Sequence, residues 1–176
     1  MRGDGLGGAG LAGMSAVPEK RVVAIDDDEV MRLSCQQGLK RTGYLVESFD
    51  NGADGIKRVA EVHPPLLLVD LKMPEMDGFQ VIERVRKLDP DVVIIVITGY
   101  ATISTAVDAM KAGAYDFLPK PFTPDELRLI ADRGFERWRL AKQSERFRRK
   151  KEEIERKFVT LVSHQRRWSW RWATRS

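Results

Sequence analysis

Cysteine is nearly missing from this sequence, which holds one cysteine, Cys35, among 176 residues. A single cysteine excludes an intramolecular disulfide and is typical of proteins in a reducing compartment. No apolar run approaches the roughly 20 residues that a membrane-spanning helix needs. The glycine-rich residues 1–13 have no continuous apolar segment of the kind found in secretory signals. These absences predict a soluble cytoplasmic protein with no membrane span.

Charge is unevenly distributed along the chain, whose formal net charge is +4. Residues 1–131 hold 15 Lys and Arg against 20 Asp and Glu, a net charge of −5, whereas residues 132–176 hold 15 against 6, a net charge of +9. A basic tail can bind nucleic acid or an acidic partner, or it can be the solvated face of a helix. We favour the solvated helix face and expect no specific nucleic acid partner.

Short β-branched runs alternate with helix-forming segments five times between residues 21 and about 131. The predicted strands cover residues 21–25, 44–49, 66–70, 92–97 and 115–118. The predicted helices cover about 29–42 with Gly43 as C-cap, then from after the Asn51–Gly52 turn to about 61, 79–88, 103–112, and a last helix that begins at Pro124 after Thr123 as N-cap. Strands that alternate with helices predict an α/β fold, and this length favours a doubly wound parallel sheet of order 2-1-3-4-5.

Composition divides the chain into four segments. We predict a disordered N-terminal segment over residues 1–20 and the α/β domain over 21–138. A helical or coiled-coil extension is predicted over 139–165, followed by an irregular Arg/Trp-rich tail over 166–176.

Polar side chains follow four of the predicted strands, at the point where each strand ends. They are the acidic run Asp26, Asp27 and Asp28, then Asp70, Thr98 and Lys120. Because a parallel sheet brings the carboxyl ends of its strands to one edge, we expect these side chains to converge. Carboxylates, a hydroxyl and an ammonium group together suit a divalent cation and a phosphoryl group.

Adjacent carboxylates at a strand end repel each other, and a site that keeps them ionised normally also holds a cation. Mg²⁺ prefers a few carboxylates, waters and phosphate oxygens. We expect Asp27, Asp70 and the backbone carbonyl of Lys72 to be metal ligands, with Asp26 acting through water. Asp28 is expected to cap the following helix.

Asp70 is the candidate nucleophile, because carboxylates attack phosphorus to form aspartyl phosphates. Lys120 offers the phosphoryl group a positive point charge, and Thr98 offers a hydroxyl donor.

Residues 21–131 resemble the receiver domain of two-component response regulators. The matching segments are VVAIDDDE at 22–29, LLLVDLKMPEMDG at 66–78, ITGY at 97–100 and AMKAGAYDFLPKPF at 109–122. The resemblance implies a flavodoxin-like fold and Mg²⁺-dependent phosphorylation of Asp70 by a partner sensor histidine kinase. It implies that Asp26, Asp27 and Asp70 hold the metal.

The same resemblance implies a conformational switch in which Thr98 moves toward the phosphoryl group and Phe117 turns inward. It also implies a cis bond between Lys120 and Pro121, and it places Lys72 and Tyr100 at positions that tune phosphate lifetime. Receivers are phosphoacceptor signalling domains, so we expect no enzyme in the ordinary sense.

Beyond the domain, apolar residues recur every seven positions at Leu140, Phe147, Ile154 and Leu161. This repeat favours a coiled coil that dimerises the protein, and a solvated single helix remains an equal alternative. Residues 158–165 resemble the phosphoacceptor box of histidine kinases, with His164 at the phosphoacceptor position. The match ends after Gln165 and the expected proline is missing, so we expect no ATP-binding domain after it and an inert His164.

Three functions fit these sequence features. The preferred one is a stand-alone receiver that signals to a downstream protein target. The alternatives are a truncated or frameshifted receiver–histidine kinase hybrid, and the receiver of a DNA-binding regulator that lost its output domain. A second copy of the chain is a further candidate partner, bound through the receiver face or through the C-terminal helix.

Overall fold

The computed structural model describes the backbone of residues 19–172 and the side chains of residues 19–162. In this part of the chain, five strands alternate with five helices. The strands are β1 (Arg21–Ile25), β2 (Leu45–Phe49), β3 (Leu66–Val69), β4 (Val93–Thr98) and β5 (Asp116–Pro119). The helices are α1 (Glu29–Lys40), α2 (Gly52–Val62), α3 (Gly78–Leu88), α4 (Ile103–Ala112) and α5 (Pro124–Trp172).

The strands form one parallel sheet of order β2-β1-β3-β4-β5, which confirms the predicted topology. The register pairs Ile25 with Val69 and Thr98 with Pro119, so the last residues of neighbouring strands lie side by side. The polar residues that follow these strands therefore meet at the carboxyl edge of the sheet.

Apolar cores cover both faces of the sheet, because side chains alternate between the two faces of each strand. On one face, strand residues pack against α1 and α5, and the fully buried Leu39 and Leu127 come from those two helices. On the other face, the alternate strand residues pack against α2, α3 and α4, which contribute Val59, Ile82 and Ala109.

The end of α1 differs from the prediction. The helix ends at Lys40 with Arg41 as its C-cap, so Gly43 does not cap it. The amides of Thr42 and Tyr44 both donate to the carbonyl of Leu39, which closes a tight turn after the helix. Gly43 adopts a φ of +83° in this turn, a conformation that glycine reaches at little cost, and leads the chain into β2.

Helix α5 begins as predicted and ends later than predicted. Thr123 and Glu126 form a reciprocal cap, in which the Thr123 Oγ1 accepts from the Glu126 amide at 3.2 Å and the Glu126 carboxylate accepts from the Thr123 amide at 2.7 Å. The helix runs through residues 166–172, where we predict irregular structure. Neither glycine nor proline occurs after Gly134, so nothing interrupts the helix.

None of the helices in the described part of the chain combines the length and apolar character needed to cross a membrane.

Candidate functional site

Three carboxylates lie together at the carboxyl edge of the sheet. Asp26 and Asp27 follow β1, Asp70 follows β3, and one oxygen from each lies within 4.8 Å of the others. Asp26 and Asp70 are each only 7% exposed, whereas Asp27 faces solvent. The structure thus brings together the three carboxylates that the sequence singles out.

Lys120 reaches this group from the end of β5. Its Nζ donates to Asp26 Oδ2 at 2.6 Å and to Asp70 Oδ2 at 3.0 Å. Burial raises the pKa of the Asp26 carboxyl, although the hydrogen bond from Lys120 opposes the shift. Burial also lowers the pKa of Lys120, but Asp26 and Asp70 more than offset this effect, so its net pKa is raised. The ammonium therefore stays charged between the two carboxyl groups.

The loop between β1 and α1 is held by its own polar groups. The Asp28 amide donates to Asp26 Oδ1 at 3.0 Å, and Asp28 Oδ1 accepts from the Val30 amide at 2.9 Å as the N-cap of α1. Arg32, one turn into α1, donates from Nη1 to the backbone carbonyls of Asp26 at 2.8 Å and Asp27 at 3.0 Å.

The loop between β3 and α3 fixes Asp70 from the other side. Asp70 Oδ1 accepts from the Lys72 amide at 3.3 Å, and the Gly78 amide donates to the Leu71 carbonyl at 2.9 Å. A Cβ atom at Gly78 would lie 2.2 Å from the Asp70 carbonyl oxygen and 2.7 Å from the Leu71 Cα. This close approach requires glycine at the start of α3.

Thr98 and Phe117 occupy neighbouring strands beside this site. Thr98 is fully buried, and its Oγ1 accepts from the Tyr100 amide at 3.3 Å. The Thr98 carbonyl accepts from the Lys120 amide at 2.9 Å, which ties the two loops together. Phe117 is half-buried against the core that faces α2, α3 and α4. The Lys120–Pro121 bond is cis, as the resemblance implies.

A surface cleft of about 460 Å³ opens next to Asp70. It lies between the loops that follow β3 and β4. Lys72 and Tyr100 both line the cleft, and the Lys72 ammonium lies 3.6 Å from the centre of the Tyr100 ring. This cation–π contact joins the two loops across the cleft.

Sequence reasoning identified the four charged groups that meet, but it missed two residues that support them. Arg32 and Gly78 act through backbone contacts, which leave no acidic or metal-binding signature in the sequence. The only available signals were the position of Arg32 one turn after the acidic run and the close approach that Gly78 allows. The metal-ligand role of the Lys72 carbonyl stays a prediction, and the side chain of His164 lies outside the described side chains.

Comparison with known proteins assigns the family. Residues 22–132 match the family described as response regulator receiver domain, and the chain belongs to it. Its members are signalling domains of two-component systems. The chain is 38% identical to the C4-dicarboxylate transport transcriptional regulatory protein DctD of Rhizobium meliloti (strain 1021). The alignment extends over 136 residues and covers 77% of this chain. The chain spans 29% of the length of DctD and less than half of several further curated relatives.

Solved receiver domains are also similar to this chain. A CheY-like receiver domain protein from Methanospirillum hungatei JF-1 has a TM-score of 0.66 at 30% identity, covering 69% of this chain and 98% of that chain. The beryllofluoride-activated NtrC4 receiver domain dimer has a TM-score of 0.65 at 36% identity, covering 68% and 98% respectively.

Proposed function

We propose that this receiver accepts a phosphoryl group on Asp70 from a partner sensor histidine kinase and signals by a change of conformation to a downstream protein. The observation that carries the proposal is the position of Lys120 Nζ, 2.6 Å from Asp26 and 3.0 Å from Asp70. A single ammonium between buried carboxylates marks a place where an anion can bind once the ion pair opens.

A divalent cation fits the charges of this site. Asp26, Asp27 and Asp70 bring three carboxylates within 4.8 Å, and Lys120 neutralises only one of their charges. We propose Mg²⁺ as the cofactor, which these carboxylates and the Lys72 carbonyl would hold. When bound, Mg²⁺ neutralises charge on the attacking and transferred oxygens.

The remaining chemistry belongs to side chains of this chain. A carboxylate oxygen of Asp70 forms a bond to phosphorus while the bond from phosphorus to the donor breaks, and its electron pair leaves with the donor. Lys120 turns from Asp70 to the phosphoryl oxygens as the phosphoryl group enters the site. Thr98 donates its hydroxyl hydrogen to another phosphoryl oxygen. This new hydrogen bond replaces the present contact of Thr98 with the Tyr100 amide and draws the loop after β4 toward Asp70. Phe117 follows into the space that Thr98 leaves.

A direct test compares intact masses of the protein after incubation with acetyl phosphate and Mg²⁺. Wild type is expected to gain one phosphoryl group, and Asp70→Asn is expected to gain none. Asp108→Asn, which changes an exposed carboxylate on α4, is the matched control and should gain the group. Chelation of Mg²⁺ should abolish the gain. An equal gain in Asp70→Asn would contradict the proposed acceptor.

A second copy of the chain is the proposed partner of the long helix. Leu140, Phe147, Ile154 and Leu161 are all exposed on α5 at seven-residue intervals. Ile154→Glu should lower the mass measured by light scattering from dimer to monomer. Val159→Glu is the matched control, because Val159 is also apolar and exposed (66% against 59%) but lies off this seam. A monomeric wild type would favour the solvated helix instead.

The chain is also a candidate for the receiver part of a longer protein. The chain aligns with 29% of the length of a transcriptional regulatory protein, which favours a DNA-binding regulator. The resemblance of residues 158–165 to a kinase phosphoacceptor box favours a kinase hybrid instead. Genomic sequence downstream of the coding region distinguishes a DNA-binding domain from an ATP-binding kinase domain. We place the receiver in the cytoplasm, where the unpaired Cys35 stays reduced.

A further inference from the structure

Arg32 directs its guanidinium group toward backbone and not toward the acidic side chains around it. Nη1 donates to the Asp26 carbonyl at 2.8 Å and to the Asp27 carbonyl at 3.0 Å. Arginine normally pairs with carboxylates as a two-pronged donor, and three carboxylates lie within the loop that it contacts. The described contacts instead connect α1 to two consecutive peptide groups of that loop.

These two carbonyls control the direction of the acidic side chains. Each carbonyl belongs to a planar peptide group, and the two peptide groups flank the Cα of Asp27. Fixing both planes fixes the backbone dihedrals of Asp27 and therefore the direction in which its side chain leaves the loop. Asp27 is exposed, so packing does not hold its side chain.

The arrangement also keeps the carboxylates available. Asp26 already accepts from the Asp28 amide and from Lys120, and Asp28 caps α1. A guanidinium group bound to the Asp27 carboxylate would occupy the remaining oxygens. By donating to neutral carbonyls, Arg32 holds the loop without occupying those oxygens.

We infer that Arg32 is a positioning residue for the metal site, which it serves by fixing the peptide groups on either side of Asp27. This inference rests on the proposed function, because it takes Asp27 as a ligand of Mg²⁺. Residues that orient metal ligands typically change metal affinity roughly 10- to 100-fold when they are replaced.

Charge and positioning predict opposite effects of removing Arg32. If Arg32 acts only as a positive charge near the carboxylates, a neutral replacement binds Mg²⁺ more tightly, because repulsion of the cation is lost. If Arg32 positions the ligands, the same replacement binds Mg²⁺ more weakly. The direction of the change therefore separates the two roles.

The experiment is a titration of ¹⁵N-labelled protein with MgCl2, followed through backbone amide shifts, for wild type, Arg32→Gln, Arg32→Lys and Arg41→Gln. Arg41→Gln removes the same charge from the exposed end of the same helix. The same spectra show whether each variant is folded. If Arg32→Gln does not fold, Arg32→Lys tests the positioning role with the positive charge retained. Amide exchange of Asp28, whose amide donates to Asp26 Oδ1, is measured without metal.

We expect the Kd for Mg²⁺ to rise about 10-fold or more in Arg32→Gln and less in Arg32→Lys, with no change in Arg41→Gln. We expect faster exchange at Asp28 in metal-free Arg32→Gln alone. Unchanged or tighter Mg²⁺ binding by folded Arg32→Gln would overturn the inference and leave the proposed function standing. Failure of wild type to bind Mg²⁺ would overturn the proposed metal site, and the inference with it.

Discussion

Lys120 donates from Nζ to Asp70 Oδ2 over 3.0 Å, although the two residues are 50 positions apart in the sequence. They meet because β3 and β5 lie on either side of β4, and each residue directly follows its strand. The ion pair occupies the place that we propose for the phosphoryl group. Phosphorylation would therefore begin by replacing one partner of Lys120 with another, and the strand ends would transmit that exchange.

Mg²⁺ should stabilise the fold through the three carboxylates. A ligand that binds only the folded state at ten times its Kd adds about 1.4 kcal/mol to the free energy of unfolding. We predict a gain of this size for wild type in urea denaturation with MgCl2, and little gain for Asp27→Asn. Asp108→Asn is the control and should gain as much as wild type. Equal gains in all three proteins would place the metal elsewhere.

Replacement of Gly78 by alanine should distort the loop that carries Asp70. The new Cβ would lie 2.2 Å from the Asp70 carbonyl oxygen, so the backbone must move. We predict a loss of about 2 kcal/mol in the free energy of unfolding, together with weaker Mg²⁺ binding. Gly99→Ala is the control, because a Cβ at Gly99 meets no atom within 4 Å. Similar losses in the two variants would argue against the close approach at Gly78.

Helix α5 should contribute to stability through one side only. Leu127 is fully buried against the sheet, whereas Leu129 on the same helix is 61% exposed. We predict that Leu127→Ala lowers the free energy of unfolding by about 3 kcal/mol and that Leu129→Ala changes it by about 0.5 kcal/mol or less. Chemical denaturation measures both values, and comparable losses would show that the packing of α5 is misassigned.

Cys35 should be unreactive in the folded protein. Burial raises the pKa of its thiol from 9.0 to about 12, and the charge of Asp26 acts in the same direction. The folded state thus favours the protonated thiol, so this stability is present below pH 9.0 and is lost as pH rises toward 12. We predict that an aromatic disulfide reagent at about pH 8 labels Cys35 only as urea unfolds the chain. Rapid labelling without urea would contradict this burial.

The topology and the charged site were predictable because both depend on regular features of the sequence. Apolar runs mark the strands, parallel pairing aligns their ends, and Asp26, Asp70 and Lys120 each follow such a run. Local capping was predictable for the same reason, as Asp28 and Thr123 show.

The remaining features depend on geometry that sequence spacing does not encode. The turn after α1 is set by the amides of Thr42 and Tyr44, which share the Leu39 carbonyl, so the helix ends before Gly43. The length of α5 reflects the lack of glycine and proline after Gly134, which leaves the helix uninterrupted as far as Trp172. Arg32 contacts two backbone carbonyls, and its position on the first turn of α1 does not by itself predict these contacts.

The most direct test of Asp70 as the phosphoacceptor locates the phosphoryl group on the chain. Protein treated with acetyl phosphate and Mg²⁺ is reduced with borohydride, which converts an aspartyl phosphate to homoserine, and its peptides are then sequenced by mass spectrometry. We predict homoserine at position 70 and at no other aspartate. Homoserine at another aspartate, or unmodified Asp70 in protein that has gained a phosphoryl group, would contradict this prediction.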